Sequence, residues 1–234
     1  MKRLNLYLSL LSANVLLVTV ERFSFTTKVF LQPYDFLRLH ELFQMTVIIL
    51  FTVVLPFLIL YEVTSQWETV KKKRGLLLFT LFIVGIYYYA TGNGVHEMAS
   101  FTFNQYCPKE GFTDSLCGGQ FFNDYYTGNI FYFVGAFMFT IVTVIFERMN
   151  PNKNFTKKDI KVATINAVIY SFAIFAYAAF DRVLVGLVYS VITAAVGLLL
   201  FIPVRKKFMQ YPMTTYTAVV YTIATIASIL VRFH

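Results

Sequence analysis

Seven long runs of apolar side chains leave this chain few ways to fold. They cover residues 4–20, 42–61, 76–100, 125–146, 162–180, 183–204 and 211–231. Each is roughly 17 to 25 residues, the length a helix needs to cross a bilayer core. The runs are apolar all round rather than along one helical stripe, so their outer faces suit lipid. Charged residues make up 14% of the chain, against about a quarter in soluble domains. The expectation is an all-α polytopic integral membrane protein: one transmembrane domain over 1–234, built as a bundle of seven helices. The first run, with Asn5, Ser9, Ser12 and Asn14, is the least apolar. Having no small-residue cleavage site, it reads as a retained helix. The fifth and sixth runs are split only by Asp181-Arg182, which predicts a tight helical hairpin.

The net charge of +8 does not point to nucleic acid, because the basic residues sit between apolar runs. One alternate set of connections holds fourteen Lys and Arg, among them Lys71, Lys72, Lys73, Arg74, Lys157, Lys158, Arg205 and Lys206; the other holds six. Basic residues favour the cytoplasmic side, which predicts a cytoplasmic N-terminus and a C-terminus outside. Both cysteines, Cys107 and Cys117, then fall on the outer side, where a disulfide can persist. The loop 108–116 between them is turn-rich. The compact chain and short connections suit a bacterial inner (plasma) membrane. The connection from Glu21 to Arg38 is rich in Phe and Tyr and should lie along the membrane surface or fold over the helix ends as a lid.

Polar groups gather near the outer ends of the runs. His40, Glu41 and Gln44 open the second; Asn93, His96 and Glu97 lie late in the third; Asn123 and Asp124 precede the fourth; Asp181-Arg182 join the fifth and sixth. Such groups are costly at membrane depth unless paired, inward-facing or functional. Gly92, His96 and Ser100 share a helical face, as do Asp124 and Gly128, and the small residues would admit a neighbouring helix. Gly92 and Gly94 would also loosen the turn around Asn93. Two imidazoles with one or two carboxylates can bind zinc or another divalent metal. His96, His40 and Asp124 are the candidate ligands, and Asp124 and Glu97 the candidate acid–base groups. Asn93, Gln44, Asn123 and Tyr126 are candidates for contact with a substrate. Each has a plainer reading: His40 could meet the headgroup region, Asp124 could cap the fourth helix, Asp181-Arg182 could be a hairpin ion pair, and Glu147-Arg148 a helix-end charge pair. Tyr87-Tyr88-Tyr89 and Tyr125-Tyr126 fit an interfacial aromatic belt or a lipid-shaped cleft.

Gly94-Val95-His96, with Asn123-Asp124-Tyr125-Tyr126-Thr127-Gly128 at the start of the next helix, resembles the CREST-type seven-helix membrane hydrolases, which include the alkaline ceramidases and the adiponectin receptors. The resemblance covers the third and fourth spans. It implies a zinc ion and hydrolysis of a lipid amide or ester, with His96 and Asp124 carried over. The chain departs from that family in having no late histidine pair: spans five to seven contain no histidine, and His234 is the last residue. Gly92 stands where a serine is usual. A zinc site would need His40 and a further carboxylate.

Three functions follow as expectations: a metal-dependent hydrolase acting on a membrane lipid, a non-catalytic binder or carrier of a hydrophobic small molecule, and a structural membrane subunit. A haem held between His40 and His96 is a fourth. The chain has no P-loop, Gly-x-Ser-x-Gly elbow, His-Glu-x-x-His or dinucleotide fingerprint. A seventh span without lysine argues against a retinal Schiff base.

Overall fold

The computed structural model describes residues 2–108, 110, 115–152 and 155–234. Most of the loop predicted to be turn-rich, 108–116, lies outside the described residues, as do Lys109 and Lys153 of the charge count. Among the described residues the chain is all-α, with an isolated bridge between Phe30 and Arg38 the one extended pairing. Seven helices are long and apolar enough to cross a membrane. They are α1 (Arg3–Arg22), α2 (Leu39–Val63), α3 (Lys73–Tyr106), α4 (Leu116–Met149), α5 (Lys157–Phe180), α6 (Val185–Gln210) and α7 (Pro212–Phe233). Large apolar side chains such as Leu50, Leu77, Phe172, Leu199 and Ile226 cover the outside of the bundle, a surface that water does not tolerate and lipid does.

The helices outrun the apolar runs. Polar residues that read as boundaries are helical, because interhelical partners satisfy them. Helix α3 is a continuous α-helix through Gly92 and Gly94, so the irregular turn expected at Asn93 is absent. Gly92 serves packing instead: a Cβ there would lie 2.2 Å from the Tyr132 backbone nitrogen. Across the contact, a Cβ on Gly128 would lie 2.8 Å from the His96 nitrogen. The two bare positions let α3 and α4 approach backbone to backbone. The irregular backbone lies elsewhere, as π-helical turns at Gln44–Ile48 in α2 and Asn123–Gly128 in α4. Asp124 therefore lies inside a helix already running from Leu116, which rules out the plainer reading of it as an N-cap.

Helix α7 is the innermost. It packs against α5 and α6, α3 lies along α4, and α1 lies against α5 and α2. Glu147 near the end of α4 is buried and does not pair with Arg148. Its carboxylate accepts from Met213 N at 2.7 Å, Thr214 N at 2.8 Å and Thr214 Oγ1 at 2.7 Å. It thus caps the N-terminus of α7 from a neighbouring helix, satisfying amides that have no partner within their own helix. At the other end of α7, Arg232 donates to the carbonyls of Ala178, Asp181 and Val183, fastening the hairpin between α5 and α6.

Cys107 and Cys117 form a disulfide, with Cα atoms 5.6 Å apart. The segment after α1 makes a short 3-10 turn at Phe25–Lys28. It lies against the end of α3, where Phe30 meets Phe101 edge-on at 6.3 Å and Tyr106 donates to the Asp35 carbonyl. Phe23, Phe25, Tyr34 and Phe36 point outward, as an interfacial segment requires.

Candidate functional site

The glycine contact between α3 and α4 sets the register that brings His96 to Asp124. His96 Nδ1 lies 2.8 Å from Asp124 Oδ1 and 3.2 Å from the Asp124 backbone oxygen. The directional hydrogen bond goes to the backbone oxygen. Asp124 is only 1% exposed, so its Oδ1 meets the imidazole away from solvent. The imidazole is thus oriented by both the carboxylate and the main chain of Asp124.

His96 and Asp124 line a pocket of about 260 Å³, together with Arg22, Ser100, Tyr125, Tyr177 and Asp181. The pocket therefore joins residues from α1, α3, α4, α5 and the α5–α6 turn. Asp181 does not pair with Arg182. Its Oδ2 accepts from Asn129 Nδ2 at 3.0 Å, and burial pushes its carboxyl above the ordinary aspartate range. The Arg182 guanidinium instead lies over the rings of Phe103 and Tyr125.

His40 belongs to a second polar cluster. Its Nδ1 lies 2.6 Å from Glu21 Oε2, which also accepts from Gln44 Nε2 at 2.9 Å, while Thr26 Oγ1 donates to Glu21 Oε1. Glu41 is bound by Arg38 through its Nε, Nη2 and backbone nitrogen. Glu97 is buried between the two clusters, within electrostatic range of His96, His40, Arg22 and Glu41. Among the described residues, no three His, Cys, Asp or Glu side chains are grouped so as to hold a metal ion. The residues present therefore do not fit a zinc site with three protein ligands. Each imidazole has its Nδ1 against a carboxylate, and His40 lies outside the pocket that contains His96.

The remaining candidates separate. Asn93 is buried with Oδ1 lacking a partner. Asn123 is exposed and outside the pocket. Tyr126 stacks on Phe122 at 5.4 Å and faces a different groove.

Beneath the pocket, inside the bundle, lies a chamber of about 80 Å³ walled by Tyr89, Tyr132, Tyr170, Tyr177, Tyr189, Tyr216 and Tyr221, with Thr52, Thr140, Thr143 and Thr217 among them. Tyr89 and Tyr132 are hydrogen-bonded at 3.1 Å, and Tyr189 pairs with Tyr221. The Tyr216 hydroxyl is buried without a partner. Tyr177 belongs to both walls, that of the pocket and that of the chamber. Its ring lies 6.4 Å from that of His96 on one side and 6.0 Å from that of Tyr132 on the other.

Of the chamber residues only Tyr89 fell in a stretch singled out from the sequence, as part of Tyr87-Tyr88-Tyr89. A signal was present: Tyr170 and Tyr177 are seven apart, hence on one helical face, and Tyr170 lies in mid-span rather than at a membrane interface. Glu21 carried no such signal, since it stands at a helix end beside Arg22. No protein-family profile, curated protein or solved structure matches the chain.

Proposed function

We propose that this is an integral membrane protein that binds a small amphipathic molecule within its helix bundle. Its N-terminus faces the cytoplasm, and the ligand is taken from the extracytoplasmic side of a bacterial inner membrane. The polar end of the ligand, carrying a hydroxyl or amine, occupies the His96–Asp124 pocket, and its apolar body points toward the tyrosine chamber. One observation carries the reading: the two cavities share Tyr177, one holding the buried His96–Asp124 pair and the other a buried Tyr216 hydroxyl without a partner. Buried polar atoms are almost always satisfied, by protein, water or ligand. The pairing of acids and bases with one another, rather than around a common point, favours binding over metal chemistry.

At about 80 Å³ the chamber is smaller than the cavity of about 150 Å³ that admits benzene. On this reading the Tyr177 ring, common to both walls, swings aside to admit the ligand. Photolabelling tests this. The protein in lipid nanodiscs is irradiated with a diazirine-bearing long-chain alcohol, and the adducts are mapped by peptide mass spectrometry. Adducts on Tyr177 and Tyr132 that disappear with excess unlabelled decanol are the expected result. Labelling confined to lipid-facing residues such as Leu199 and Ile226 would refute it.

A second reading draws on the same pair. With Nδ1 of His96 held by Asp124, Nε2 is the ring nitrogen left for a proton from a bound molecule, the arrangement a general base needs. Hydrolysis of a lipid ester or amide would then occur in the pocket. Fatty-acid release by the purified protein, lost in His96→Gln, supports this version; no release from ester or amide lipids removes it and leaves the binder.

A further inference from the structure

A further concavity lies apart from both. A groove of about 550 Å³ runs along the outer surface where the start of α6 meets α4, lined by Tyr126, Ile130, Arg182, Leu184, Val185 and Val188. Its volume falls within the ~300–1,000 Å³ typical of small-molecule sites. Its floor is apolar, and Ile130, Leu184 and Val188 are each about half exposed along it. One end carries the exposed Arg182 and the tyrosine ring of Tyr126.

The charge of Arg182 is left over. Among the described residues no carboxylate lies within ion-pairing distance of its guanidinium. The neighbouring carboxylate is committed elsewhere: Asp181 accepts from the Asn129 amide and from the Arg182 backbone nitrogen. The guanidinium is held 5.8 Å from the centroid of Phe103 and 5.6 Å from that of Tyr125. Two aromatic faces restrict an arginine without neutralising it. The result is a pre-positioned cation with planar, forked donors at the mouth of an apolar trough. That pairing of charge and grease matches one occupant, a phospholipid with an acyl chain in the trough and its phosphate on the arginine fork.

We propose that this groove is a specific binding site for an anionic phospholipid, seated by Arg182 and by the apolar trough of Ile130, Leu184 and Val188. The groove is distinct from the His96–Asp124 pocket, and the proposal stands or falls independently of the ligand in the bundle.

Native mass spectrometry of the intact protein, released from micelles containing either phosphatidylglycerol or phosphatidylcholine, provides the test. One retained phosphatidylglycerol is expected, with phosphatidylcholine retained at least fivefold less. Arg182→Gln should lower phosphatidylglycerol retention at least tenfold, and Arg182→Lys should lower it less. Val188→Trp fills the trough and leaves the charge in place; it should abolish retention as well. Excess sn-glycerol 3-phosphate should fail to displace the lipid, since it brings the phosphate without the chain. Equal retention of the two lipids, unchanged retention in either Arg182→Gln or Val188→Trp, or displacement by glycerol phosphate overturns the proposal. Circular dichroism and the melting temperature establish that each variant is folded. Tyr177 photolabelling should persist in Arg182→Gln, which keeps this outcome separate from that of the inner site.

Discussion

His96 and Asp124 meet at 2.8 Å only because the two helices that carry them touch backbone to backbone one turn away. Gly92 sits against Tyr132, and Gly128 against His96. The pair is a consequence of helix packing before it is a feature of chemistry.

Gly92→Ala should therefore act on the pocket at a distance. The added methyl meets main chain, which cannot yield by a rotamer change. Overpacking of this kind costs about 1–3 kcal/mol. The expected outcome is a lower melting temperature together with loss of the Tyr177 photo-adduct. A Gly92→Ala protein with wild-type stability and labelling would show that the helices have slack the close contact does not suggest.

Glu21 holds three donors on three positions, His40, Gln44 and Thr26. It ties the end of α1 to the start of α2 and fixes the aromatic segment between them. Glu21→Ala leaves His40 Nδ1 and Gln44 Nε2 without this acceptor, at about 1–3 kcal/mol for a buried group stripped of its partner. The segment should then open locally. Trypsin cleavage after Lys28 and Arg38 should speed up at least tenfold while the bundle stays intact; unchanged cleavage would mean that the apolar contacts of Phe30 hold the segment without Glu21.

Much of this architecture could be read in the sequence. Seven apolar runs became seven helices, because a span of that length and composition has no competing structure. His96 and Asp124 both stand out in the sequence, because each lies four residues from a glycine on its own helical face and neither has a ready role in lipid. His40 stands out in the sequence without its partner: Glu21 lies nineteen positions earlier, at the start of what reads as a loop. Asp124 allows a reading as a helix cap because it directly precedes the fourth apolar run, yet the chain is helical from Leu116. The tyrosine chamber was hidden for a different reason. Aromatic residues are common throughout this chain, and only three-dimensional packing separates rings that face lipid, such as Tyr87, from rings that face one another, such as Tyr89.

Glu147 makes the opposite case, a buried carboxylate whose work is structural. It binds the first amides of α7, the innermost helix. Glu147→Gln keeps one acceptor and should lose about 1 kcal/mol, whereas Glu147→Ala should lose about 2–3 kcal/mol as the freed amides stay buried. Thermal unfolding in detergent resolves the two. Equal, small effects would assign the capping to water instead.

The disulfide should contribute stability without touching either cavity. A closed loop with a sequence separation of 10 removes roughly 2.5–3 kcal/mol of freedom from the unfolded chain. The double substitution Cys107→Ser and Cys117→Ser should lower the melting temperature and leave the photolabelling pattern unchanged. A changed pattern would mean that the bridge also sets how α4 enters the bundle.

The wide turn at Asn123–Gly128 has one more consequence. A π turn accommodates an additional residue without breaking the helix, so it works as a phase shifter between the N-terminal end of α4 and the rest. Removing a single residue from it would restore a uniform pitch and rotate everything upstream by about 100° relative to the helix below. Asp124 would be carried round the barrel of the helix, away from His96, although no atom of either side chain had been altered. The acid arm of the site is in that sense written in the length of one turn.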